Sequence, residues 1–150
     1  MATTARIAKV WSRGVAFAGM NSHLREMAIG AALGLGGVLI TALLNEPGRT
    51  VFSGLLLAVI GAVYFGFAVS EGEVRSIVVQ TISMTVFFCV AFFGVTEDSH
   101  VLLGFGFLAH GVWDVFHHEH HGPTEVRTWY PPFCAVADFV LAVPLLAGWL

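Results

Sequence analysis

Residues 110–123 read HGVWDVFHHEHHGP, and five of the chain's seven histidines lie there beside Asp114 and Glu119. Imidazole and carboxylate side chains ligate zinc, iron, nickel and manganese, and imidazole changes charge near neutral pH. On a helix turning about 100° per residue, His110, Asp114, His117 and His121 fall within about 60° of arc, with His118 on the flank. Steps of three and four residues let two ligands share one ion, as paired histidines do in helical zinc sites. The stripe is about 16 Å long at about 1.5 Å per residue, so no single ion reaches both ends, and one or two ions fit along it.

One helix cannot close such a site, and partners are expected on neighbouring apolar segments. Asp138 lies inside CAVADFVLAV, where an ionisable group is costly and so faces an interior partner. Glu71 closes an apolar run, with Tyr64 seven residues earlier on the same face, and Gln80 stands one turn into the next. The expected metal ligands are His110, Asp114, His117, His118, His121 and Asp138, and Cys134, four residues before Asp138, is a minor option. A catalytic zinc takes three protein ligands and a water. The metal brings that water's pKa toward 7, and Glu71 is the expected base that removes its proton. Zinc is the first expectation and iron the second. His23 and His100 are expected to lie away from this cluster.

The elements that hold these residues follow from composition. Of 150 residues, 57% are hydrophobic and 11% charged, with a mean hydropathy of +0.81. Soluble domains carry about 25% charged residues, so lipid is the natural solvent for this surface. A bilayer core needs about 20 mostly apolar residues per helix. Five segments meet that need: Met27–Leu44, Val51–Val69, Ser76–Val95, Val101–His121 and Phe133–Leu150. Runs such as GLLLAVIGAVYFGFAV lack the alternation of a membrane β-barrel strand. The fold class is all-α, a polytopic bundle of five transmembrane helices.

Charge placement sets the expected orientation. Arg6, Lys9, Arg13, Arg25, Arg75 and Arg127 fall on one side of such a bundle and only Arg49 on the other. Basic residues favour the cytoplasm, so the N-terminus is expected inside and the C-terminus outside, in a bacterial inner membrane. Residues 1–25, with Arg6, Lys9 and Arg13 interleaved with Ile7, Val10, Trp11 and Phe17, read as an amphipathic helix on the inner membrane face. A mitochondrial presequence shares that pattern. The chain thus divides into an interfacial segment, 1–25, and a membrane domain, 26–150. Gly30 and Gly34 form a GxxxG face, suited either to a homo-oligomer contact or to tight packing within the bundle. Cys89 and Cys134 differ in depth by roughly 15 Å, too far for a disulfide, and both are expected to be buried thiols. Gly122-Pro123 is read as the stop of the fourth helix, Trp129 and Tyr130 as interfacial anchors, and Pro131-Pro132 as a delay to the fifth helix.

Two resemblances add to this reading. His117, His120 and His121 form HxxHH, which resembles one histidine box of membrane di-iron desaturases and hydroxylases. The resemblance covers five residues. Where those families carry HxxxH, His110-Gly-Val-Trp-Asp114 ends in aspartate. It implies a two-iron oxidation. The combination of helix-borne histidines and aspartates is also similar to that of intramembrane zinc amidases such as the alkaline ceramidases, which implies hydrolysis of a lipid amide.

The functional expectation is a metal-dependent enzyme near the cytoplasmic leaflet acting on a lipid-like small molecule. Hydrolysis by metal-activated water comes first and di-iron oxidation second. The alternatives are a metal-ion transporter or sensor, and a non-catalytic subunit of a larger membrane complex. The chain has no GxSxG, Walker or dinucleotide motif and no basic footprint for nucleic acid.

Overall fold

The computed structural model describes residues 22–118 and 122–150 with their side chains, and residues 2–21 as helical backbone. Five helices follow in order: α1 (Ala2–Leu43), α2 (Glu46–Glu71), α3 (Val74–Thr96), α4 (His100–His117) and α5 (Tyr130–Leu146). Strands are absent among the described residues. Ser22–Leu43 of α1, all of α2 and all of α3 are long and apolar enough to cross a membrane. α4 has 18 residues and carries three ionisable side chains in its second half; α5 is a shorter apolar helix of 17 residues. The chain is an all-α protein with the surface of a membrane protein. Leu33, Leu55, Phe88 and Phe105 face outward, while Thr41, Gln80, His110 and Asp138 are buried.

Local chemistry sets the helix ends, and it moves several of them from their expected positions. The NEPGR stretch is a cap and first turn: Asn45 Oδ1 accepts the Gly48 N–H at 3.2 Å, and Pro47 sits where no intrahelical N–H is needed. α2 ends on Gly72, whose φ of 82° is the left-handed conformation that glycine reaches without strain. Ser99 caps α4 by accepting the Leu102 N–H at 3.2 Å. Pro131 and Pro132 do not delay α5. They lie in its first turn, which starts at Tyr130. α4 ends at His117, because His118 is extended at φ −65° and ψ 142°. The expected continuation through His121 falls on residues 119–121, outside the described residues. α1 runs without a break past residue 25, and the amphipathic face expected for residues 1–25 lies mostly among side chains outside the described residues.

Small residues bring the helices together. Along α1, Gly30 meets the Phe133 backbone, and a Cβ at Gly34 would stand 2.9 Å from the Ala137 carbonyl oxygen. The two contacts advance in the same direction, so α1 and α5 run parallel. The GxxxG face is therefore filled by the chain's own α5, and a homo-oligomer through Gly30 and Gly34 has no free surface there. Gly61 on Phe87 joins α2 to α3, and Gly111 on Phe139 joins α4 to α5, each pair antiparallel. Leu57, Phe107, Leu103 and Leu145 fill one end of the interior. At the other end, where α2 and α4 finish and α3 and α5 begin, Tyr64, Tyr130, Cys134 and Val126 of the connecting loop pack together. Tyr130 is thus buried and not an interfacial anchor; Trp129 is exposed. Cys89, expected to be buried, is exposed on α3, and both cysteines are free thiols.

Candidate metal centre

α4 and α5 cross back to back, and each brings an i, i+4 pair to the same face: His110 and Asp114 on α4, Cys134 and Asp138 on α5. That spacing stacks both side chains of a pair on one helical stripe. All four residues are buried, and one ligand atom from each lies within 4.8 Å of all the others. His110 Nδ1 is the hub. It is 2.6 Å from Asp138 Oδ2 and 3.4 Å from Asp114 Oδ2. Cys134 Sγ lies 4.0 Å from Asp138 Oδ2 and 3.5 Å from the Tyr130 hydroxyl.

The polar accounting of this cluster is incomplete. Beyond the 3.4 Å approach of His110 Nδ1, the Asp114 carboxyl makes no well-formed hydrogen bond among the described residues, and neither does His110 Nε2. Two carboxyl groups and a thiol surround one imidazole, and all four side chains are buried. Buried charge is tolerated when it is paired or coordinates a cation. The donor set of one nitrogen, one sulfur and two carboxylates suits a divalent transition ion.

His117 is close but differently employed. Its Nδ1–H donates to the Trp113 carbonyl at 2.9 Å, which leaves Nε2 as an acceptor for the Gln80 amide at 2.9 Å. Both of its ring nitrogens are engaged in these hydrogen bonds, and His117 is outside the group of four. Gln80 also donates to Thr124 Oγ1 at 2.9 Å, tying α3, α4 and the α4–α5 loop at one point. Tyr64 lays its ring against His117 at 4.5 Å between centroids and against His110 at 6.1 Å. The loop closes over this end: Ser76 Oγ donates to the Pro123 carbonyl at 2.5 Å, and Val126 and Thr124 are buried.

The other expected site residues are placed elsewhere. Glu71, the expected base, is exposed at the end of α2, where its Oε2 accepts the Glu125 N–H at 3.4 Å. His118, past the end of α4, packs edge-on against His23 at 5.6 Å and stands apart from the four ligands. His23, expected to be remote, reaches this region because α1 descends beside α5. His121 lies outside the described residues. His100 pairs with Glu46 at 3.5 Å at the opposite end of the bundle. His110, Asp114 and Asp138 therefore converge as expected, and Cys134, a minor option from sequence, joins them. Its signal was the four-residue step to Asp138.

A family model described as "Family of unknown function (DUF6010)" matches residues 25–149, and the chain belongs to that family. No curated protein matches the chain. No solved structure matches it either.

Proposed function

We propose that this DUF6010 protein is a membrane metalloenzyme in which His110 Nδ1, Cys134 Sγ and Asp138 hold one divalent ion, with Asp114 acting beside it. The observation that carries this reading is the convergence of four buried donor side chains, with one ligand atom from each within 4.8 Å of the others. Mixed sulfur, nitrogen and oxygen donors favour zinc, then iron. Three protein ligands leave a position for water, whose acidity the ion raises. Such an ion would supply a water acidic enough to attack an ester or amide carbon, and Asp114, buried beside the three ligands, would take that water's proton and return it to the leaving oxygen or nitrogen. Four donors within 4.8 Å are room for a single ion, which favours hydrolysis over two-iron oxidation. The apolar filling of the opposite end, around Leu57 and Leu103, favours an enzyme over a conduit across the membrane.

In this reading all five helices cross the bilayer. α4 and α5 are each about 26 Å long at about 1.5 Å per residue, close to the ~30 Å hydrocarbon core. Arg25, Arg75 and Arg127 lie toward the end that holds the cluster, which supports a cytoplasmic position for that end, with the N-terminus inside, in a bacterial inner membrane. A site sunk among lipid-facing helices works on a lipid-like molecule, with membrane lipids around it.

Elemental analysis of detergent-purified protein tests the reading. Wild type is expected to hold one transition-metal ion per chain, and His110→Ala and Asp138→Asn to lose it. Asp114→Asn is expected to keep the ion and to lose hydrolysis of ester- and amide-linked lipids. A wild-type protein with no transition metal overturns the proposal.

A further inference from the structure

On α1, His23 and Glu26 stand one turn apart on the same stripe, and His23 Nδ1 lies 3.3 Å from Glu26 Oε2. His118, the first residue past α4, brings a second imidazole to this point from another part of the chain. Its ring centroid is 5.6 Å from that of His23, and the two rings are nearly perpendicular at 85°. α1 and α4 each pack along α5, and His23 and His118 join the two across it.

Both separations are those of ligands on one ion. A tetrahedral zinc with bonds of about 2.0–2.1 Å holds neighbouring donor atoms about 3.3–3.4 Å apart, and the ring centroids of two bound imidazoles about 5 Å apart. The His23–Glu26 separation of 3.3 Å fits the first, and the His23–His118 separation of 5.6 Å is close to the second. A lone ion pair one turn apart on a helix surface is common and worth little. What sets this one apart is the second imidazole, delivered from a different helix. The three side chains are more loosely gathered than the buried four. They have room to close, because His118 lines a cavity of ≈350 Å³ together with Met27 of α1 and Pro131 and Pro132 of α5. Arg25 does not oppose a cation here, since two residues on from His23 it points about 160° away around α1.

We propose that His23, Glu26 and His118 form a second, exchangeable metal site on the surface of the bundle's polar end. Two imidazoles and a carboxylate take a divalent transition ion such as zinc, with water completing its shell. The site shares no residue with the buried four and does not depend on them. An ion held there ties α1 to the end of α4. His23 is half-exposed, so the ion is open to solvent and is expected to be given up during purification.

The test uses full-length, detergent-solubilised protein washed with EDTA and then titrated with zinc in competition with a chromophoric chelator. A saturable equivalent of zinc per chain is expected that His23→Ala or His118→Ala weakens at least tenfold and Glu26→Gln several-fold, while His110→Ala leaves it unchanged. Unfolding temperatures in EDTA report that each variant is folded, and zinc should raise that of wild type but not that of His23→Ala. Equal zinc affinity in wild type and His23→Ala overturns the proposal. So does weakening by His118→Ala without weakening by His23→Ala, which assigns the ion to the HHEHH run alone. Weakening by His110→Ala as large as that by His23→Ala merges this site with the buried cluster and overturns it as a separate one. A His23-dependent equivalent in a wild type whose buried cluster takes no metal supports this site and overturns the buried-centre reading alone.

Discussion

At one end of the bundle, Leu57, Leu103 and Leu145 fill the interior with hydrocarbon, and glycines at 54, 94, 104 and 106 let the helices close on them. At the other end the interior holds Tyr64, Gln80, His110, Asp114, His117, Cys134 and Asp138, several with polar atoms left unpartnered. Lipid is as apolar as leucine, so shape and close approach, not escape from water, hold the first end together. The second end carries groups that are expensive inside a membrane. Apolar packing and buried polar groups are thus divided along the length of the same helices.

Substitutions at each end test that division. Leu57→Ala, at a fully buried position, is expected to cost about 2–5 kcal/mol through the cavity it opens, read as a fall in unfolding temperature. The metal content of that variant should remain at the wild-type level; parallel loss of metal would merge the two ends into one cooperative unit. His110→Ala should do the reverse. Its expected effect is a metal affinity at least ~100-fold weaker, about 2.7 kcal/mol, in a competition titration against a chelator, with the apolar end intact. Gln80→Leu deprives His117 Nε2 and Thr124 of their shared donor, and about 1–3 kcal/mol of stability should go with it. Maleimide labelling of Cys134 in a Cys89→Ser background should accelerate in that variant, because the loop over the cluster loses its tie to α3. Glu71→Gln is expected to change least, below about 0.5 kcal/mol, since the residue is exposed and keeps an oxygen for the Glu125 N–H. If Glu71→Gln instead abolished metal binding or hydrolysis, the chemistry would extend beyond the buried end.

The apolar end was legible from the sequence as a class of structure, because long runs without alternation allow only lipid-facing helices. Three of the four clustered donors were legible too. His110 and Asp114 share a stripe by simple helical spacing, and Asp138 stands out among apolar neighbours. What spacing cannot state is which partner a ring nitrogen finds. His117 sits on the same stripe, yet its own helix's Trp113 carbonyl takes one nitrogen and Gln80 of α3 the other. The 122–129 loop looks solvated by composition, but Thr124 and Val126 turn inward against side chains from other helices. GxxxG announced close approach without naming the neighbour, which is α5 of the same chain.

The parallel seating of α5 against α1 has a consequence for assembly. Half of the ligand set, Cys134 and Asp138, arrives on the helix made after the other four, and its berth is the groove of small residues on the helix made before them. Until that berth is taken, His110 and Asp114 have no counterpart across the bundle. Under the proposed metal reading, ion capture follows insertion of the final helix, and any defect in the Gly30–Gly34 seam would surface as a protein that enters the membrane but never becomes loaded.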